Sequence, residues 1–361
     1  MIDFTNMPFD YKGSNYGGSD RKRGIIYDGK RYMVKVSDRI ETDTRNPLKD
    51  SYSNSVYSEY VCCHILQICG YDAQNTILGQ MVMDTKKHKD MIMPAVACEN
   101  FIPEGYTLME FKHMQNALSE NVPGRIPKIT EIYELLGDEN AMFSKDFSEK
   151  ALKQYWETFI FDAYFGNFDR HGNNWGYLIS ETGEAKLAPI YDCGSCLYPQ
   201  ISDEAIPNIL NNPEAIRQRI DVFPKAALEL EDKTKAQYRN FINSLENKDC
   251  TEALLKVYPI IKSKQEQIDD FIDGAEGISD IRKKFYKTML SERKTLILES
   301  AYYKAIALGY ETEIENDTDA EYDEDGLVSD DMLEKYNNIL QDSVSEKSQY
   351  NKVKSQYDIE R

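Results

Sequence analysis

Gly166-Asn167-Phe168-Asp169-Arg170-His171-Gly172-Asn173-Asn174 is the stretch on which the reading of this chain turns. The residues before it, Ser148–Gly166, put Leu152, Trp156, Phe159, Ile160 and Ala163 on one face at helical spacing. They predict an amphipathic helix with Ser148 as its N-cap. After it, Trp175–Ser180 and Ala185–Tyr191 read as two strands joined by Glu181-Thr182-Gly183-Glu184. That hairpin ends in Pro189-Ile190-Tyr191-Asp192-Cys193-Gly194, so a second acid follows Asn174 by 18 residues. Singly, Asp and Asn shape loops and caps everywhere. Helix, polar loop, hairpin and Asp-x-Gly in this order form a much more specific pattern.

The chemistry of those residue types is that of phosphoryl transfer. An Asp followed five residues later by an Asn is the spacing of a kinase catalytic loop. There the Asp169 carboxylate would take or orient the proton of an attacking hydroxyl. The Asn174 oxygen and the Asp192 carboxylate would hold Mg²⁺, a hard cation that prefers oxygen and retains waters. A metallohydrolase using Asp169, His171 and Asp192 is the alternative these hard-metal ligands allow, but the chain has only 4 His and no His-rich companion.

Working outward, Ile25-Ile26-Tyr27 and Arg31–Val36 predict strands around Asp28-Gly29, a two-residue hairpin turn. Ser53–Gly70 predicts a helix that Gly70 ends. Thr76–Met83 and Met93–Cys98 predict further strands, and Phe101–Gly105 a connector. Lys225–Leu245 and Lys283–Leu308 predict helices. The expected fold class is therefore α+β: a bilobal, protein-kinase-like architecture with a β-rich N-lobe over 1–103 and a mainly helical C-lobe over 104–310. Residues 311–361 form an acidic tail, expected to be flexible. Lys35 closes the second strand, where a kinase keeps its phosphate-contacting lysine, and Glu59 in the next helix is its expected partner. The segment around Gly17, Gly18 and Ser19 has no GxGxxG, yet before a hairpin it could bring backbone amides to phosphates.

Charge and cysteines bound the alternatives. The net charge of the 361 residues is −19, but residues 311–361 carry −11 of it and the body only −8. Residues 21–39 hold seven Lys/Arg against two Asp, a basic island placed to meet phosphates. The acidic balance argues against direct nucleic-acid binding, and no apolar run is long enough for a membrane span. The N-terminus carries no secretory signature, and seven cysteines, an odd number among apolar neighbours, suit reduced thiols and a cytoplasmic location. Cys193-Gly194-Ser195-Cys196 has redox spacing but lies inside the acidic motif, not at a strand-to-helix turn.

Taken together, Tyr16-Gly17-Gly18-Ser19, Tyr32-Met33-Val34-Lys35, Asn167-x-Asp169-x-His171-x-x-Asn174 and Tyr191-Asp192 resemble the HipA-like family of bacterial Ser/Thr protein kinases, in its compact CtkA-type branch. The resemblance covers about residues 10–308 and extends, distantly, to phosphoinositide kinases. It implies ATP and Mg²⁺ as cofactors, Asp169 as catalytic base, Asn174 and Asp192 as metal ligands, and Lys35 on the phosphates. It further implies His171 beside the γ-phosphate, and Glu99 and Phe101 at the adenine. A protein substrate, autophosphorylation of Ser14 or Ser19, and an antitoxin-like partner are also implied. Cys193 replaces the usual Phe of Asp-Phe-Gly, and no His-Arg-Asp triplet occurs. Two other readings stay open at this point: a small-molecule or lipid kinase, and a nucleotide-binding interaction module that no longer turns over.

Overall fold

The computed structural model describes residues 1–10, 22–37, 39–40, 51–84, 89–118, 126–137 and 143–311. The sequence-predicted glycine loop, with Ser14, Gly17, Gly18 and Ser19, and the acidic tail from 312 onward lie outside the described residues. The N-terminal part is built on a five-stranded sheet. Its strands are β1 (Ile2–Asp3), β2 (Lys22–Tyr27), β3 (Lys30–Val36), β6 (Thr76–Met83) and β7 (Met91–Glu99), in the order β1-β6-β7-β3-β2. A short ladder pairs β4 (Arg39–Ile40) with β5 (Ser51–Tyr52). The β2–β3 hairpin turns on Asp28 and Gly29, both with positive φ (48° and 72°). This is the backbone that a two-residue turn matched to strand twist needs, and it is why Asp-Gly sits there.

Strand β3 alternates strictly: Tyr32, Val34 and Val36 are buried on one face. Lys35 therefore points to the opposite face, which α1 (Ser55–Ile68) covers. Val56 of α1 packs on Val96 and Cys98 of β7.

A three-stranded sheet, β10-β9-β8, follows the connector: β8 (Tyr106–Glu110), β9 (Gly176–Ser180) and β10 (Ala185–Leu187). The rest is helical. It comprises α2 (Phe111–Leu118), α3 (Ile129–Leu136), α4 (Lys145–Phe165), α5 (Ile206–Leu210), α6 (Pro213–Asp221), α7 (Tyr238–Ser244), α8 (Lys248–Ser263), α9 (Gln265–Gly274), α10 (Asp280–Arg293) and α11 (Ser300–Ala307). A π-helical stretch, Lys294–Glu299, joins α10 to α11. Fourteen residues of α4, Trp156 among them, are buried, making it the axis of the large helical core. The fold is the α+β arrangement expected. Among the described residues, no helix is long and apolar enough to cross a membrane.

Two sequence expectations need correction. Helix α4 starts a turn earlier than predicted: Ser144 is its N-cap, with Oγ accepting from the Phe147 N–H, while Ser148 lies buried inside the helix. Segment 225–237 is not helical. Glu229 bridges to Lys128 and to Lys235, so the chain there runs extended against the start of α3 before α7 begins. The Phe223–Pro224 peptide just before it is cis.

Candidate active site

Three elements converge on one ammonium. Lys35 Nζ of β3 lies 3.0 Å from Glu59 Oε2 of α1 and 2.8 Å from Asp192 Oδ1 in the loop after β10. Burial alone would lower the Lys35 pKa, but the two carboxylates outweigh it and hold the group charged well above its ordinary range. Burial likewise pushes Asp192 upward, and is beaten by the charge and hydrogen bond of Lys35, which bring its carboxyl down to about 2. Glu59, almost without exposure, goes the other way: burial raises it to about 6 against the pull of Lys35. Its second oxygen accepts the Cys193 N–H at 3.2 Å, so helix α1 also holds the backbone next to Asp192. Asp192 has φ of 57°, a left-handed conformation that Asp tolerates better than most residues.

The second half of the site is the loop between α4 and β9. Gly166 caps α4 with φ of 69° and turns the chain out of the helix. Asn167 Oδ1 accepts the Asp169 N–H at 3.0 Å, and Asn174 Nδ2 donates to the Asp169 carbonyl at 2.7 Å. The five-residue spacing thus closes a compact loop, in which the Asn174 amide oxygen is left as the acceptor. The Asp169 carboxylate is about half exposed; Oδ1 faces His171 Nε2 at 3.7 Å and Oδ2 accepts from Ser195 Oγ at 3.5 Å. Burial, joined by the nearby Asp192 charge, raises the Asp169 pKa, and His171 opposes this. His171 Nδ1 accepts the Asn173 N–H at 3.2 Å, which leaves the ring proton on Nε2, toward Asp169.

One buried side chain, which the sequence reading passed over, joins the two halves. Arg170 makes a bidentate pair with Asp162 of α4, both bonds at 2.9 Å. The same guanidinium donates to the carbonyls of Asn174 and Tyr191 through one nitrogen, and to Cys193 Sγ at 3.6 Å. The segments bearing Asn174 and Asp192 are therefore fixed relative to each other and to helix α4. Asp162 also receives Asn167 Nδ2 at 2.8 Å, so its carboxylate is fully engaged. The signal available in the sequence was an acid on the buried side of an apolar helix, eight residues before an arginine; Glu157 is buried on the same helix.

Glu99 and Phe101 sit apart from this cluster, at the end of β7 and in the connector. The Glu99 carboxylate pairs with Lys30 at 2.9 Å, its N–H donates to the Asn75 carbonyl, and its carbonyl accepts from Gln74. The Phe101 ring packs on Tyr191, 5.3 Å between centroids. Its backbone N–H and C=O carry no hydrogen bond among the described residues. Between Lys35, Glu59, Asp192 and Ser195 lies a polar cavity of about 240 Å³, also lined by Lys22 and Ser55. Among the described residues no three His, Cys, Asp or Glu side chains form a ready cation cage. The donor set does fit Mg²⁺: one carboxylate and one amide oxygen suit an ion that takes few protein ligands and completes its shell with phosphates and water.

The chain was also compared with known proteins. A family model described as the HipA-like C-terminal domain matches residues 14–254. Serine/threonine-protein kinase CtkA of Helicobacter pylori (strain J99) is 36% identical over 310 residues, covering 85% of this chain and 89% of the relative. The crystal structure of a Helicobacter pylori proinflammatory kinase CtkA superposes with a TM-score of 0.73 at 33% identity, over 86% of this chain and 99% of that one. A chain of the Shewanella oneidensis MR-1 complex of HipA, HipB and operator DNA aligns with a TM-score of 0.45 at 13% identity, over 82% of this chain and 67% of that one.

Proposed function

The chain belongs to the HipA-like family and is a Ser/Thr protein kinase, and from that premise we propose that it moves the γ-phosphoryl group of ATP, with Mg²⁺, to a Ser or Thr hydroxyl of a protein. The observation that carries the ATP and Mg²⁺ reading is the Lys35–Glu59–Asp192 bridge lying next to the Asp169–Asn174 loop, with Arg170 locking the two together.

Each residue then has a role its surroundings favour. Lys35, kept cationic by two acids, draws the phosphates into the cavity. Glu59 aims it. Asp192, ionised far below neutral pH, and the Asn174 oxygen would hold the metal. Mg²⁺, when bound, offsets the negative charge of the triphosphate. Asp169, with a raised pKa and a half-exposed carboxylate, orients the acceptor hydroxyl and takes its proton. His171, with its proton on Nε2, steadies that carboxylate and can donate to charge on the transferring group. The open backbone of Phe101 would meet an adenine edge, with Glu99 bracing the connector. Gly17, Gly18 and Ser19 would cover the phosphates. Autophosphorylation of Ser14 or Ser19 belongs to the same proposal, and phosphopeptide mapping after incubation with ATP that finds neither residue modified removes it. The antitoxin-like partner and the cytoplasmic location rest on the family resemblance and on the reduced cysteines, all seven of which are free and buried.

Calorimetric titration with ATP tests the metal assignment. Asp192→Ala should abolish the dependence of ATP binding on Mg²⁺. Unchanged dependence would remove Asp192 from its role.

A further inference from the structure

The two oxygens of Asp169 are already divided between partners. Oδ1 faces His171, so Oδ2 is the one left to receive a proton from an acceptor, and Oδ2 holds the Ser195 hydroxyl at 3.5 Å. A general base must lie within hydrogen-bond reach of the proton it removes, with looser contacts in the ligand-free state. Ser195 meets that condition from within the chain. Its position is not accidental to the loop. Cys193 and Cys196 on either side are fully buried, which leaves only Gly194 and Ser195 of this turn lining the polar cavity with Lys35 and Asp192.

We infer that Ser195 occupies the place of the acceptor hydroxyl and is itself an intramolecular acceptor of the phosphoryl group. The inference rests on the kinase reading above and names a site on this chain for it. In the step, Ser195 Oγ bonds to the γ-phosphorus as the bond from that phosphorus to the β-bridging oxygen breaks. The hydroxyl proton passes to Asp169 Oδ2, and ADP leaves. A phosphate on Ser195 fills the acceptor place and sets its charge beside Asp169 and Asp192. Each modified molecule is thereby closed to other acceptors until the group is removed.

The test incubates the full chain with ATP and Mg²⁺ across a wide dilution series, with casein present as an outside acceptor, and maps phosphopeptides by mass spectrometry. Expected is phosphate on the Ser195 peptide at a rate per molecule that dilution does not change, lost in Ser195→Ala, with casein labelling falling as Ser195 fills. Labelling of casein or of other serines with Ser195 unmodified overturns the inference and leaves the kinase reading standing. A Ser195 rate that scales with enzyme concentration overturns the intramolecular assignment. No labelling anywhere overturns both.

Discussion

Arg170 shows how much of this site hangs on one buried side chain. Five hydrogen bonds from its guanidinium reach Asp162, Asn174, Tyr191 and Cys193. Removing one partner of a buried ion pair leaves the other charge uncompensated, at about 3–5 kcal/mol. Arg170→Met should lower stability by that order in denaturant unfolding, with Asp162→Asn comparably costly. A change below about 1 kcal/mol, the size of an ordinary surface pair, would contradict the account. At this scale the sequence was a good guide to acids, amides and lysine: Lys35 and Glu59 pair as expected, and the Asp169–Asn174 spacing closes a real loop. It was silent on Arg170 and Asp162, because a buried charge and a solvated one look alike until the packing around them is known, and on Ser195, whose contact with Asp169 spans 26 residues of chain.

Among the elements, helix α4 and its outgoing loop do most of the positioning. Gly172 is the clearest constraint. A Cβ there would strike the Gln115 carboxamide and come within 2.9 Å of the Lys112 backbone nitrogen. The Gly172 carbonyl also accepts from that same Lys112 N–H at 2.8 Å. Gly172→Ala must therefore shift the loop against the start of α2. A displacement on the order of 1 Å costs about 100-fold in a positioned reaction, so we expect phosphoryl transfer to fall by that order while the protein stays folded by circular dichroism. Wild-type rates would refute the positioning argument. Periodicity found α1, α4 and the strands of both hairpins. It failed over 225–237, where alanines and lysines suit a helix but backbone bridges to Lys128 and Lys235 hold the chain extended. It also misplaced the start of α4, since Ser144 and Ser148 are equally good caps by type, and only the Phe147 N–H chooses between them.

Over the whole molecule, Lys35 ties the N-terminal sheet to the loop that carries Asp192. That contact is charged, so it titrates. The Asp192 carboxyl sits near 2 in the fold against an ordinary 3.8. A depressed acid contributes stability above its unfolded pKa and loses it as pH falls through the folded value. Asp192→Asn should thus lower the melting temperature near neutral pH, and the gap from wild type should close as pH drops from about 4 toward 2. A gap that persists at the acid end would mean the pairing does not supply it. Glu59 runs with the opposite sign. Its carboxyl, raised to about 6, favours the fold below the ordinary 4.5, and that contribution is lost as pH rises through 6. The net charge of −19 says little about this body, since most of it lies in the last fifty residues. The local charges around the cavity matter instead. Asp169, in this reading, serves a transfer reaction built on these groups. Transfer of labelled phosphate from ATP to protein, compared between wild type and Asp169→Ala, tests it directly. Labelling should fall about 100- to 10,000-fold in the variant, the range for removing a general base. Equal labelling by the two proteins would contradict it.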